Sequence, residues 1–440
     1  MQKLNKILMH MNHPVAEVVF DGSGRIRKVS EIINPERFPI STAKLSKKNM
    51  NLAGELSDWW TDTHTIPEWR IGGDKVRDPL GVDSFSELVF ANNGISSLDK
   101  YWIKDPASSQ GYVDINHEFD SLAGASAFVG TEGVEWGEGL RDLDESVAIT
   151  MPGMLTKFWD RRGDKVMLFK GGDPEHFRQE PFNEVIATHV SEFLQIPHAK
   201  YELEFIKGLP YSKCESFLGK DQELVMAKHI FKSGKKVNSE NEWQYYLRRC
   251  AELGIDPSMA RDAFVEHSVL DSVIANEDRH FLNFGFIRSA ESLGDWEPIP
   301  AHDSGMSLFM RNQYANGHST RFVAEMKKGR IGIATDAIKA PPTHGDTFRG
   351  THNDMIKMLI EDKKHGVDLR HYIPSLQKLE RELPEFVHEK LKACEMPSER
   401  RDLVAFGAGR RAAITSDIIK KAKSPSSTYQ ISLDKAVAMA

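Results

Sequence analysis

The sequence predicts an α+β protein with a small β-rich lobe, then a larger α-helical lobe, behind a mixed α/β N-terminal extension. Three observations carry that prediction: strand pattern with tight reversals over 148–217, helical periodicity after Phe217, and a strand–turn–strand pattern at the start. At 440 residues the chain exceeds the roughly 100–200 residues of one domain. Boundaries are expected at 1–145, 146–217, 218–395 and 396–440.

The opening segment Pro14–Val29 reads as two strands joined at Asp21-Gly-Ser-Gly24, whose glycines tolerate a sharp reversal. From Pro39 to Glu138 the chain is rich in aromatics and turns without a sustained helical period, and is read as mixed and irregular. A reversal follows at Asp160–Asp164, then an apolar run, Val166–Phe169, ending at Lys170. Pro181 suits the first turn of a helix that Val185, Ile186, Val190, Phe193 and Leu194 sustain until Pro197 stops it. Alternation at Tyr201, Leu203 and Phe205 returns the chain to a strand. Helices are expected at Ser239–Leu253, Pro257–Ala275, Asn353–Glu361 and Pro374–Ala393. From Glu399 the tail is locally basic and reads as a partly helical surface extension.

Composition narrows the classes of function. Apolar residues make up 40% and charged residues 28%, the mixture of a globular chain able to bury a core. With 57 basic and 64 acidic side chains the net charge is −7, so no general attraction to nucleic acid or anionic membrane is expected. Cys214, Cys250 and Cys394 lie far apart, without zinc-finger spacing, which fits a reducing cytoplasm rather than a disulfide framework. No apolar run approaches a membrane span, and His10, His13 and Pro14 interrupt the N-terminus where a signal sequence would be apolar.

The chemistry concentrates in Leu270–Ile287, where an apolar helix breaks into a polar loop and resumes as an apolar strand. The loop holds Asp278 and, five residues on, Asn283; Asp303 follows within His302-Asp303-Ser304-Gly305. Taken singly, an Asp and Asn in a loop suit a turn or cap, Asp-Ser-Gly suits a turn, and a strand-end lysine suits a solvated edge. Their joint order suits phosphoryl transfer from ATP, which needs Mg2+ on a carboxylate and an amide oxygen, a further carboxylate at the hydroxyl nucleophile, and a lysine on the phosphates. Asp278 is then the base, Asn283 and Asp303 hold Mg2+, Lys170 reaches the phosphates, and Glu184 anchors Lys170. A rival site for zinc or iron would use Asp278, His280, His302 and Asp303, leaving Asn283, Lys170 and Glu184 without a role.

These residues resemble the HipA-like serine/threonine kinases, a bacterial family with a two-lobed, protein-kinase-like fold. The likeness runs over about Val147–Ile360, with a weaker echo in the opening hairpin. Asp278-Arg-His-Phe-Leu-Asn283 looks like the family's catalytic Asp-x4-Asn, and Asp303 like its later metal-binding aspartate. Gln179–Glu184 looks like the nucleotide-lobe helix, and Tyr211–Phe217, with Glu215 and Phe217, like the segment leading to the adenine hinge. Thr150-Met-Pro-Gly153-Met-Leu-Thr-Lys157 has one glycine and departs from the loop of eukaryotic kinases. The family's own unorthodox loop would make Thr150 an autophosphorylation candidate, with Gly153 and Lys157 at the phosphates, although the same residues suit a plain hairpin turn.

The resemblance thus implies an ATP- and Mg2+-dependent kinase acting on Ser or Thr hydroxyls of a protein substrate, cytoplasmic, with an antitoxin-like partner and no direct nucleic acid or membrane contact. The alternatives are a silent kinase-fold scaffold in a toxin–antitoxin complex and a nucleotidyltransferase on the same fold. Residues 307–330 are read as a turn-rich, basic surface loop, or else a dock for an acidic target.

Overall fold

The computed structural model describes residues 4–40, 51–68, 82–115, 155–310 and 351–422. Its N-terminal part is an antiparallel sheet backed by a helix. β1 (Leu4–His10), β2 (His13–Phe20) and β3 (Ile26–Ile32) precede α1 (Leu52–His64), α2 (Phe85–Ala91), β4 (Tyr101–Lys104) and the single turn α3 (Tyr112–Ile115), and the strand order is β3-β2-β1-β4. The expected hairpin is β2–β3, closed at Asp21, whose carboxylate accepts the Ser23 and Arg25 backbone N–H groups. Leu8, Val18 and Phe20 pack against Leu56, Trp59 and Trp60 of α1.

The reading of 39–138 as irregular is corrected here, within its described residues. The inward residues of α1 are Leu56, Ser57, Trp59, Trp60, Thr63 and His64, spaced as one helical face. The period was hidden because three of the six are polar. His64 is fully buried, stacked 4.1 Å from Trp60 and paired with Asp99 at 3.1 Å.

The second sheet is antiparallel, in the order β5-β6-β8-β7: β5 (Lys157–Arg162), β6 (Lys165–Lys170), β7 (Glu202–Ile206) and β8 (Leu209–Glu215). α4 (Glu180–Leu194) lies between β6 and β7 in sequence and packs on the sheet; Pro181 occupies its first turn and Gln195 ends it in the left-handed conformation. A third, smaller sheet has the order β11-β10-β9, from β9 (Gln222–Met226), β10 (Gly285–Ser289) and β11 (Glu297–Pro298).

The remaining elements are helical: α5 (Ala227–Lys232), α6 (Glu242–Glu252), α7 (Pro257–Ile274), α8 (His352–Glu361), α9 (Ile373–Leu391) and α10 (Ser398–Lys421). One core joins α4 to these helices through Ile186, Val190, Val269, Val273, Leu376, Leu383 and Val404. The description of 396–440 as a basic surface tail is corrected for its described part. α10 packs along α9, with Arg400 and Arg411 each 1% exposed. Small residues allow this approach: a Cβ on Gly409 would lie 2.6 Å from Pro384 Cγ, and one on Gly407 would strike the Phe309 ring. No helix among the described residues is long and apolar enough to cross a membrane.

Candidate active site

Three stretches of backbone converge at the candidate site: the end of β6, the first turns of α4, and the loops on either side of β10. Lys170, the last residue of β6, is buried and donates from Nζ to Glu184 Oε1 at 2.9 Å and to Asp303 Oδ1 at 2.8 Å. Glu184, one turn into α4, is equally buried and accepts the Ser304 backbone N–H at 2.9 Å through Oε2. One carboxylate thus ties the lysine to the segment that carries Asp303.

The charges shape one another. Burial would lower the Lys170 ammonium, but the Asp303 and Glu184 carboxylates outweigh it and hold the group well above its ordinary value. Burial would raise the Asp303 carboxyl, yet the charges of Lys170 and Lys157 hold it far below the usual carboxylate range. Lys157, at the start of β5 and paired in register with Lys170, therefore bears on the same anion.

Asp303 has φ +53°, a left-handed conformation that costs a non-glycine residue about 1 kcal/mol or more. Its neighbours hold it there. Arg279, buried behind the loop, donates to the His302 carbonyl, to Ser304 Oγ at 3.2 Å and to the Asn283 carbonyl at 3.2 Å, and it is paired with Asp271 at 3.1 Å. Asn183 Nδ2 donates to the Gly305 and Ser307 carbonyls at 2.7 and 2.9 Å. Gln179 donates to Asn183 and to the Leu308 carbonyl, and accepts from Arg400 at 2.9 Å.

Asp278 and Asn283 share a turn. Asn283 Nδ2 donates to the Asp278 carbonyl at 2.7 Å, and the Asp278 backbone N–H is capped by Asn276 Oδ1 at 3.0 Å. This bond commits the amide nitrogen of Asn283, while Asp303 Oδ1 is committed to Lys170; among the described residues neither Asn283 Oδ1 nor Asp303 Oδ2 has a hydrogen-bond partner. Two hard oxygens of this kind fit Mg2+. The His/Asp arrangement for zinc or iron does not form: His302 points Nδ1 at the Pro300 carbonyl, 2.9 Å away, and no three His, Cys, Asp or Glu side chains converge on a metal position among the described residues.

Of the other expected residues, Phe217 lies with its ring 5.5 Å from that of His302, next to a small apolar cluster of Ala199, Tyr201 and Cys214. Burial pushes the Cys214 thiol up to about 11 and His302 down to about 4, so both are neutral near pH 7. The Glu215 side chain pairs with Lys165 at 2.5 Å on the surface. Thr150 and Gly153 lie outside the described residues, as does most of the basic stretch after Ser307.

Residues that sequence reasoning missed are those that hold the loops: Arg279, Asp271, Asn183, Gln179 and Arg400. A signal existed for one of them. Arg279 follows Asp278 directly, and an arginine inside an apolar helix–loop–strand segment calls for a buried acid, which Asp271 supplies.

No family model matches the chain, and no curated protein matches it. Among solved structures it is similar to the Helicobacter pylori proinflammatory kinase CtkA, at 16% identity and a TM-score of 0.43, covering 64% of this chain and 96% of that one. It is also similar to a chain of the Shewanella oneidensis MR-1 toxin–antitoxin complex of HipA, HipB and operator DNA, at 12% identity and a TM-score of 0.43, covering 95% of this chain and 97% of that one.

Proposed function

We propose that this chain is an ATP- and Mg2+-dependent kinase of the HipA-like kind that transfers the γ-phosphoryl group to a Ser or Thr hydroxyl of a protein. The observation that carries the proposal is the single ammonium of Lys170 bonded to both Glu184 and Asp303, with Arg279 tying the Asp303 segment to the backbone of Asn283. Such a lysine is anchored by one acid and poised toward the position where phosphate and metal charge would meet.

In this reading Asp278 orients the hydroxyl and takes its proton as the new O–P bond forms and the bond from the γ-phosphorus to the β–γ bridging oxygen breaks, releasing ADP. Lys170 and Lys157 hold the phosphate oxygens in place. Asn283 and Asp303 would hold the Mg2+, which would supply charge neutralisation to the phosphates. Glu184, Arg279 and Asn183 keep those groups in register. Phe217 and the backbone near Glu215 bound the adenine side, and Gly153 and the Thr150 hydroxyl belong to the phosphate loop.

The proposal includes a cytoplasmic setting and an antitoxin-like protein partner. The expectation that nucleic acid is absent draws no support from the HipA likeness, since that chain was solved with operator DNA.

Intact-mass measurement of the purified protein with ATP and Mg2+ tests the reading. A gain of one phosphoryl group, mapped to Thr150 and lost in Asp278→Asn by at least about 100-fold in rate, is expected. A gain of a whole nucleotide would make the enzyme a nucleotidyltransferase. Unchanged turnover in Asp278→Asn and Asp303→Asn would overturn the assignment of the site.

A further inference from the structure

β9 and β10 connect the two halves of the site. β9 begins shortly after Phe217, where the segment proposed to lead to the adenine hinge ends, and β10 begins two residues after Asn283; their register sets Met226 opposite Gly285 and Glu223 opposite Arg288. The spacing between the adenine wall and the metal-binding amide therefore depends on how this strand pair is held.

The N-terminal domain holds it through a chain of buried bonds. The Glu223 carboxylate, 1% exposed, accepts from Arg288 through Oε1 at 2.6 and 2.7 Å. Through Oε2 it accepts from His10 Nε2 at 3.0 Å and from the Lys100 backbone N–H at 3.3 Å. His10 is fully buried and has Arg37 Nη1 3.0 Å from its Nδ1. A guanidinium can only donate, so Nδ1 is the acceptor and the ring proton sits on Nε2, directed at Glu223. Arg37 also donates to the Ala290 and Glu291 carbonyls, just beyond β10, at 3.2 and 3.1 Å. The Leu224 N–H donates to the Leu98 carbonyl at 2.7 Å, and the Leu98 side chain packs against the cluster of Met226, Ile287 and Ile299 that also touches Phe217.

We propose that this network is a latch by which the N-terminal domain positions the nucleotide site, with Arg37 and His10 as positioning residues that act through the β9–β10 pair. The inference rests on the kinase reading. Buried ionic networks add little net stability over apolar packing, and what they supply is direction. Here four groups from residues 10–100, His10, Arg37, the Leu98 carbonyl and the Lys100 N–H, converge on the end of the strand pair that follows Phe217, while Asn283 adjoins its other end. The N-terminal region is thus a structural wall of the nucleotide site as well as any surface it offers to a target.

Arg37→Ala is the perturbation of choice, because its side chain is 13% exposed and its loss leaves the Glu223–Arg288 pair intact. Affinity for the magnesium complex of AMPPNP should fall about tenfold, the size expected for losing buried charge-assisted bonds, while kcat at saturation stays within about twofold. Amide exchange in the nucleotide-free protein should quicken over 216–226 and 284–290, and Arg37→Lys should restore part of both effects. Leu98→Ala, which trims the same strand pair without touching the ions, should give the same split.

Unchanged affinity in Arg37→Ala overturns the proposal, as does unchanged exchange, and so does a fall in kcat in step with affinity and melting temperature. Failure of the wild-type chain to bind AMPPNP overturns the kinase reading instead. The exchange comparison needs no nucleotide and still decides whether the latch exists.

Discussion

Replacing Glu184 by glutamine removes one charge at nearly constant volume and exposes how much the site depends on it. In the native protein both carboxylate oxygens are used, Oε1 by Lys170 and Oε2 by the Ser304 N–H, each at 2.9 Å, with the side chain 3% exposed. Glutamine has one acceptor oxygen. If that oxygen faces Lys170, the amide NH2 faces the Ser304 N–H, donor against donor, and a buried bond is lost at about 1–3 kcal/mol. The lysine also loses one of two counter-charges, a cost that Asp303 limits to about 1 kcal/mol. The sum, about 2–4 kcal/mol, should appear as a lower urea midpoint at unchanged slope. Because Ser304 adjoins Asp303, the segment proposed to hold the metal should drift, and the proposed phosphoryl transfer should fall by about 100-fold. A variant within about 0.5 kcal/mol of wild type, with normal turnover, would refute the view that Glu184 holds this site together.

Three further outcomes are expected. Gly285→Ala should destabilise the protein by about 3 kcal/mol or more in chemical denaturation, because the added Cβ would lie 2.3 Å from the Val225 carbonyl oxygen and force β9 and β10 apart. His352 is buried with no partner for Nε2 among the described residues, and burial together with the charge of Arg411 lowers it from 6.5 to about 3. The unfolded chain then binds the extra proton, so stability is lost as pH falls below about 6.5, by about 2 kcal/mol at pH 5, and His352→Asn should flatten that part of a melting-temperature profile. Asp303→Asn should sharply reduce the Mg2+ dependence of nucleotide binding in calorimetry, and binding that still requires the metal as before would remove Asp303 from the ligand set.

Much of the site was legible because its residue types are dictated by chemistry and its order by chain direction. Lys170, Glu184, Asp278, Asn283 and Asp303 could be named from a strand end, a helix start and two loops, since hydrophobic period and turn residues are short-range signals. The α1 helix was illegible for an equally local reason: Thr63 and His64 are buried by pairing rather than by apolarity, so a pattern of apolar residues passed over them. The strand over Tyr211–Phe217 was legible from its alternation, but the surface pairing of the Glu215 side chain with Lys165 was not.

The sequence by itself determined the strands β5 to β8, the helix α4 that ends ahead of Pro197, the helices α6 to α9, and which polar groups sit at the ends of apolar runs. Those depend on interactions within a few residues. Tertiary structure alone decided that Lys170 meets Asp303, that Arg279 ties the Asn283 and His302 backbones, and that α10 lies in the core with two buried arginines. It also brought His10 and Arg37 to Glu223. These pairings join residues far apart in the chain, and their partners are selected by close packing and by the cost of leaving a buried charge alone, which no local pattern encodes.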